Sequence, residues 1–244
     1  MISTVTLDYW QTLLAEMPEN LGRGKQLRLE GISAVLTQSG HPMAPAKLEA
    51  AHAAAGQALE EVWREYRDVS AREQVRFFLD ALSPDLASRL SDDQFERVVE
   101  AYAIPVLHFP PIPSPGALEA VKDLAGQGFR LCVISNTGRT PGLVLRKVLD
   151  HYGLLSYFTV LTYSDEIGYR KPHPQIFQET LRRAGSDPAQ SVHVGDNPVD
   201  DVAGAKAVGM RAIHFSPGGP VTYFSRPDAV ALHLGQLPEL IRAL

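Results

Sequence analysis

Short apolar segments alternate with helical patterns at the start of the chain and again from about residue 110 onward. The segments are STVTL (3–7), RLCVIS (130–135), FTVLT (158–162), SVHVG (191–195) and RAIHF (211–215). They are rich in β-branched residues, and several of the helical patterns between them close on glycine, where helices often end. Strands that alternate with helices predict an α/β fold, in which a parallel sheet carries helices on both faces.

The intervening residues 16–109 contain helical patterns only. Between Lys47 and Asp68, apolar residues recur at spacings of three and four, which predicts one buried helix face. The residues of this face are Leu48, Ala51, Ala55, Leu59, Val62 and Tyr66. Two further helices are predicted over 71–81 and 92–107, so that the whole stretch is expected to be helical.

Five prolines in the segment 104–116 mark the end of this helical stretch, because proline cannot continue a helix and stiffens a connection. We therefore expect two domains. Residues 1–15 and 110–244 would form the α/β core, and residues 16–109 would form an all-helical cap domain that is inserted after the first strand and its polar tail.

Composition and charge exclude several classes of function. The chain has 244 residues, of which 45% are hydrophobic, and its net charge of −5 gives no reason to expect nucleic acid or an anionic membrane as partner. Its one cysteine, Cys132, rules out a disulfide within the chain and fits a reducing compartment. We find no signal-peptide pattern and no apolar run near the ~20 residues of a membrane span. We therefore expect a cytoplasmic globular protein, with its oligomeric state left open.

Polar residues follow the predicted strands at the point where each strand ends. They are Asp8 after the first strand, Ser135 and Asn136 at the second, Lys171 in the loop after the third, and Asp196 after the fourth. In a parallel sheet these ends meet at one edge, where ligands bind. Two carboxylates suit Mg²⁺, whereas a hydroxyl, backbone amides and an ammonium suit phosphate oxygens. A carboxylate beside both can act as a nucleophile on phosphorus.

These segments resemble, in the right order, the four signature motifs of the haloacid dehalogenase-like hydrolase superfamily. The motifs are Asp8-x-x-x-Thr12-Leu13, the Ser135 of ISNT, Lys171 in GYRKPHPQIF, and Asp196 and Asp201 in HVGDNPVDDVAGAKAVGM. The resemblance implies a Rossmann-like core with the first strand between SVHVG and RLCVIS. It also places the insert where one class of the superfamily carries a helical cap.

The resemblance implies a role for each matching residue in metal binding and nucleophilic attack. Asp8 would be the nucleophile that forms an aspartyl intermediate. Asp8 and Asp196 would hold Mg²⁺ together with the backbone carbonyl of Trp10, and Asp201 would support the metal site through water or hydrogen bonds. Asp200, next to Asp201, is interpreted instead as an acid favoured at a helix N-terminus.

The remaining motif residues would bind the phosphate of the substrate. They are Thr12, Ser135, Asn136 through its backbone amide, and Lys171. The ammonium of Lys171 would neutralise charge between the nucleophile and the phosphate. The predicted catalytic residues are therefore Asp8, Ser135 and Lys171.

Trp10 departs from the pattern of the phosphatases in the superfamily, which usually carry a second aspartate two residues after the nucleophile. That aspartate protonates the leaving oxygen and then activates the attacking water, and tryptophan can do neither. General acid–base catalysis contributes ~10²–10⁴-fold, so the loss should weigh most on poor leaving groups. Three residues of the cap and its junctions could replace it, namely Glu16, His41 and His108.

The resemblance leaves several functions open. We expect a Mg²⁺-dependent phosphohydrolase that acts on a small phosphorylated metabolite, weak or specialised because of Trp10. The 2-haloacid dehalogenases also carry an aromatic residue there, but they lack the acid that Asp196 supplies and usually have glycine in place of Gln11. Phosphonatases keep Mg²⁺ and use a cap lysine, for which Lys25 and Lys47 are available. The last alternative is a module that binds a phosphorylated ligand with little turnover.

Overall fold

A six-stranded parallel sheet forms the centre of the structure, a computed structural model that describes residues 1–219 and 221–244. The strands of the chain are β1 (Thr4–Leu7), β2 (Leu14–Ala15), β3 (Ile112–Pro113), β4 (Arg130–Ser135), β5 (Phe158–Tyr163), β6 (Ser191–Gly195), β7 (Arg211–Phe215) and β8 (Ala229–Ala231). The order in the large sheet is β5-β4-β1-β6-β7-β8, and every pairing is parallel. Strand β1 therefore lies between β4 and β6, which confirms the predicted order.

All four residues of β1 are buried, as expected for a central strand that is covered on both faces. Its last residue, Leu7, pairs with Val133 of β4 and Val194 of β6. Strands β4 and β6 continue one or two residues further, to Ser135 and Gly195, so the three strands end near one another. The five predicted strands are all present, and β8 was missed because it has only three residues.

Helices cover the sheet and also form a separate layer above the strand ends. The first six are α1 (Pro18–Gln38), α2 (Pro45–Arg64), α3 (Ala71–Leu82), α4 (Leu86–Arg89), α5 (Asp92–Ala103) and α6 (Pro105–His108). The others are α7 (Ala117–Gly126), α8 (Gly142–His151), α9 (Ser164–Ile167), α10 (Pro174–Ala184), α11 (Gly204–Ala207) and α12 (Leu237–Arg242), with a π-helical segment at Pro198–Ala203. Within the described residues, no helix combines the length and hydropathy that a membrane crossing requires.

Two of the predicted helices end earlier than expected. Helix α2 ends at Arg64, so its buried face comprises Leu48, Ala51, Ala55 and Leu59. Tyr66 lies beyond that end with a φ of 52° and is exposed, so its placement on the buried face was wrong. The helix predicted over 92–107 divides into α5 and α6, because Pro105 cannot donate a hydrogen bond within a continuous helix.

The first six helices, called the helical cap below, have their own apolar core. Ile32, Phe78 and Val98 are fully buried in it, whereas Val5, Val133 and the other sheet residues belong to a different cluster. The chain leaves the sheet for the cap at β2 and returns at β3. These two strands pair as a short antiparallel ladder. The apolar cores of the cap and the sheet are separate, which is compatible with the predicted domains. The domain boundaries themselves stay a prediction.

Candidate active site

The ammonium group of Lys171 joins three elements at the ends of the central strands. Lys171 Nζ donates hydrogen bonds to Asp8 Oδ1 at 2.5 Å, to Asp201 Oδ1 at 2.6 Å and to the carbonyl of Ile134 at 3.0 Å. Asp8 follows β1, Ile134 belongs to β4, and Asp201 lies in the π-helical segment after β6. The lysine is 3% exposed, so these contacts form in a site from which water is largely excluded.

Electrostatics in this cluster are set by burial and by close pairing. Burial raises the pKa of Asp8 to about 8; the Lys171 ammonium opposes this rise, while Asp201 and Asp196 add to it. Burial alone would also raise the pKa of Asp201, but Lys171 and a hydrogen bond from His193 hold it well below its usual range. The pKa of Lys171 is raised despite burial, because Asp201 and Asp8 both favour the charged form.

Asp201 is fixed by a chain of hydrogen bonds that begins in the sheet. Its Oδ1 lies 3.0 Å from His193 Nε2, and His193 Nδ1 lies 2.7 Å from Thr6 Oγ1. Because a carboxylate only accepts, Nε2 carries the proton, and the neutral ring accepts from Thr6; burial lowers the pKa of His193. Asp201 Oδ2 accepts from the backbone N–H of Asn197 at 2.9 Å. Gly195 makes room for this arrangement, since a Cβ there would lie 2.2 Å from Asp201 Cγ.

Three carboxylates converge beside Lys171. Asp8, Asp196 and Asp201 each offer an oxygen, and these atoms lie within 4.8 Å of one another. They line a cavity of about 160 Å³. The crowding of acids contributes to the raised pKa of Asp8 and Asp196, and a divalent cation would relieve it. An all-oxygen donor set of this kind fits Mg²⁺.

The three acids are not equally free to coordinate a metal. Both oxygens of Asp201 already accept hydrogen bonds, which fits the supporting role expected from the sequence. Asp196 accepts one side-chain hydrogen bond, from Thr12 Oγ1 at 3.4 Å. Thr12 is fully buried, so the structure places it behind an acid of the site, and its role in phosphate binding stays a prediction.

Asn136 holds the backbone of Lys171 in place. Its Oδ1 accepts from the Lys171 N–H at 2.7 Å, and its Nδ2 donates to the Lys171 carbonyl at 3.0 Å and to Asp200 Oδ2 at 3.3 Å. Asp200 lies in the first turn of the π-helical segment, as its interpretation as a helix-terminal acid predicted, and it also lines the same cavity. Ser135 is buried at the end of β4, and its hydroxyl lies 3.4 Å from the Asn136 carbonyl.

A second cavity of about 380 Å³ lies between the helical cap and the strand ends. Trp10 and Asn136 line both cavities, so the two cavities adjoin at these residues. The indole of Trp10 packs edge-on against the buried ring of Tyr9, with 4.9 Å between ring centroids. The next residue, Gln11, has a φ of 57°, so the backbone turns sharply after Trp10.

The structure separates the candidates for the missing acid. Glu16 lines the larger cavity, and burial raises its pKa. His41 lies in the loop between α1 and α2, and His108 is exposed at the end of α6; neither lines that cavity. Of the two cap lysines, Lys25 lines it and Lys47 is exposed outside it.

Asp68 connects the helical cap to the sheet. Its Oδ2 accepts hydrogen bonds from Ser164 Oγ at 2.5 Å, Arg170 at 2.8 Å and Thr137 Oγ1 at 3.3 Å. Its Oδ1 accepts from the indole N–H of Trp63 at 2.9 Å. The side chain is fully buried, and Arg170 directly precedes Lys171, so this contact ties the position of the cap to the loop that carries the lysine.

Several of these residues were missed from the sequence. They are Asp68, Arg170, His193 and the cavity residues Arg28 and Arg139. A histidine inside the apolar segment SVHVG was a usable signal, because a buried imidazole needs a polar partner. The others carried no local signal, since isolated charged residues in helices and loops are usually solvated.

The family of the chain follows from comparison with known proteins. The model of the haloacid dehalogenase-like hydrolases matches residues 2–209. The chain therefore belongs to the haloacid dehalogenase-like hydrolase family, as the four motifs predicted. Its α/β core with a helical cap confirms the predicted fold class.

Individual relatives differ in their named reactions. A glyceraldehyde 3-phosphate phosphatase of Methanothermobacter thermautotrophicus is 39% identical over 103 residues, which is 41% of this chain and 43% of that enzyme. A 2-haloacid dehalogenase of Pseudomonas syringae superposes over 100% of this chain and 99% of that chain, with 29% identity and a TM-score of 0.70. A HAD phosphatase of Thermococcus onnurineus superposes over 98% of this chain and 98% of that chain, with 25% identity and a TM-score of 0.61. The chain spans 37–49% of the length of five curated relatives it matches.

The contact between cap and sheet gives a first prediction. Asp68→Asn removes the fully buried carboxylate that pairs with the partly buried guanidinium of Arg170, which should lower the free energy of unfolding by about 2–4 kcal/mol. For a chain of this size, each kcal/mol corresponds to about 2–4 °C in Tm. Thermal unfolding checks this, with the exposed Asp80→Asn as matched control. An unchanged Tm in Asp68→Asn would show that the contact does not stabilise the fold.

Proposed function

We propose that the protein is a Mg²⁺-dependent phosphohydrolase that attacks small phosphorylated metabolites through an aspartyl intermediate on Asp8. The observation that carries this proposal is the meeting of Asp8, Asp196 and Asp201 around the ammonium of Lys171 at the ends of the central strands. A nucleophile, acids for a hard cation and a fixed positive charge are the groups that phosphoryl transfer needs.

Each residue of the cluster would contribute a separate part of the chemistry. Asp8 and Asp196 would hold Mg²⁺ together with the Trp10 carbonyl, and Asp201 would support the site from behind. When bound, the metal would neutralise charge on the phosphoryl oxygens. Lys171 opposes the rise that burial causes in the pKa of Asp8, and it would stabilise charge that develops between the carboxylate and phosphorus.

Phosphate binding would complete the site next to the nucleophile. Ser135, the backbone amide of Asn136 and Lys171 would bind the phosphoryl oxygens, with Thr12 supporting Asp196. The phosphatase relatives support this assignment by their named reactions. We propose a cytoplasmic location, because the single cysteine is buried and free.

A second candidate is 2-haloacid dehalogenation. The dehalogenase from Pseudomonas syringae matches the whole chain at 29% identity, and Trp10 places an aromatic ring beside the nucleophile. Chloride release from 2-chloropropionate without Mg²⁺ would favour this reaction. The phosphohydrolase ranks first because Asp196, which the dehalogenases of the superfamily lack, stands within the acidic cluster.

Leaving-group dependence tests the phosphohydrolase directly. Phosphate release should require Mg²⁺ and should fall steeply from acetyl and p-nitrophenyl phosphate to sugar phosphates, because no acid stands at position 10. Asp8→Asn should lower the rate at least about 10³-fold, whereas the exposed Asp80→Asn should leave it unchanged. Release that survives Asp8→Asn would contradict the proposal, and chloride release in its place would favour the second candidate.

Glu16 is the residue we propose as a partial replacement for the missing acid. It shares the larger cavity with Trp10, and burial raises its pKa. Glu16→Gln should lower kcat about 10-fold or more for sugar phosphates, within the range of general acid catalysis, and much less for p-nitrophenyl phosphate. Glu19→Gln, an exposed change in the first turn of α1, is the control. Equal loss on both substrates would assign Glu16 a structural role instead.

A further inference from the structure

Two arginines from different layers of the protein meet at one tyrosine. Arg28 lies on α1 of the helical cap, and Arg139 follows β4 of the sheet. Arg28 Nε donates to the carbonyl of Tyr102 at 2.7 Å, and Arg139 donates to the Tyr102 hydroxyl at 3.1 Å. Both line the larger cavity, and Arg28 is 8% exposed. Their guanidinium groups are therefore held by neutral oxygens and face the same space.

The other two cations of this cavity already have acidic partners. Lys25 forms an ion pair with Glu49 at 2.5 Å, and Arg170 forms one with Asp68 at 2.8 Å. The positive charge that these two residues bring is thus balanced within the protein. What remains in the cavity is the charge of the two arginines at Tyr102.

That remaining charge is only partly offset. Among the residues that the structure describes, neither Arg28 nor Arg139 has a carboxylate within 4.0 Å. Of the described residues that line the cavity, Glu16 is the one acid, so two guanidinium groups face a single carboxyl group. Burial lowers the pKa of Arg28 to about 10, which still leaves it charged at neutral pH. Buried charge without a partner is costly, and a ligand that supplies one negative charge would remove that cost.

The side chain of Arg139 contacts helix α2 of the cap. Its NH2 donates to the carbonyl of His52 at 3.2 Å, and the side chain passes α2 at Gly56, where a Cβ would lie 2.7 Å from the guanidinium. Nearby, His52 Nε2 is buried without a hydrogen-bond partner in the described structure. Burial and the neighbouring arginines lower the pKa of His52 to about 4, so it adds no charge.

We propose that Arg28 and Arg139 bind a carboxylate of the substrate, so that the preferred substrates are small phosphate esters of hydroxy acids. Trp10 and Asn136 line both cavities, so these adjoin, and in this proposal one small molecule spans them with its phosphoryl group at Asp8 and its carboxylate at the arginines. The planar guanidinium fork matches a carboxylate, and the single uncompensated positive charge matches a monoanion better than a second phosphate. The inference rests on the proposed function for the phosphoryl half of the molecule.

Binding of stable phosphonates tests the site without requiring turnover. Phosphonoacetate is compared with ethylphosphonate, and 3-phosphonopropionate with propylphosphonate, by isothermal titration calorimetry with Mg²⁺. Each pair differs in one carboxylate, and the two pairs differ in its distance from phosphorus. At least one carboxylated compound should bind about tenfold or more tightly than the alkylphosphonate with which it is paired, as expected for charged hydrogen bonds.

The variants identify the groups responsible. Arg28→Gln and Arg139→Gln should abolish the preference for the carboxylated compound, and Gly56→Ala should weaken it by crowding Arg139 while keeping both arginines. Arg64→Gln, which removes an exposed arginine of α2 paired with Glu61, should retain it. The ratio of affinities is read in each variant, so a general loss of binding is not mistaken for loss of the preference.

The outcomes separate this inference from the proposed function. A preference without hydrolysis of any ester would support the carboxylate site and reject the phosphohydrolase. If the wild type hydrolyses phosphate esters but does not prefer the carboxylated phosphonates, the phosphohydrolase is supported and the carboxylate site is rejected. A preference that survives in both glutamine variants, or no binding of any phosphonate, would overturn the carboxylate site.

Discussion

The ion pairs of Lys171 with Asp8 and Asp201 are the interaction on which the rest of the site depends. One buried ammonium holds together β1, β4 and the segment after β6, and removing the lysine would leave two neighbouring carboxylates without a counter-charge in a dry site. The supports around it serve this geometry: His193 and Asn197 fix Asp201, and Asn136 fixes the backbone of the lysine. A cluster built in this way is preorganised, so little reorganisation is needed when charge develops on a phosphoryl group.

The helical cap completes the site from the other side. Asp68 ties it to the loop that carries Lys171, and the cavity between cap and sheet shares Trp10 and Asn136 with the cavity of the carboxylates. The two cavities therefore adjoin at these residues. We infer that the sheet edge supplies the reaction and that the cap supplies selectivity, with Trp10 in the wall between the two functions.

Much of this arrangement could be predicted from the sequence, and the reasons are physical. Asp8, Lys171 and Asp196 follow buried strands, so parallel topology alone brings them to one edge. The five longer strands are apolar runs rich in β-branched residues, and the cap helices α2, α3 and α5 fall within the stretch that the sequence predicts to be helical, whereas β2, β3 and β8 are too short to show a pattern. The contacts of Asp68, Arg28 and Arg139 join residues far apart in the chain, and no local pattern distinguishes them from solvated charges. Tyr66 was misplaced because spacing does not reveal where a helix ends.

Detection of the covalent intermediate tests the central claim most directly. The enzyme is mixed with p-nitrophenyl phosphate and Mg²⁺, quenched in acid at times shorter than one turnover, and the peptide containing Asp8 is weighed by mass spectrometry. Because Trp10 cannot activate water, breakdown should be slow and the intermediate should accumulate. The account predicts that the mass of one phosphoryl group appears on Asp8 only when Mg²⁺ is present. Phosphate release with an unmodified Asp8 peptide at every quench time would contradict it.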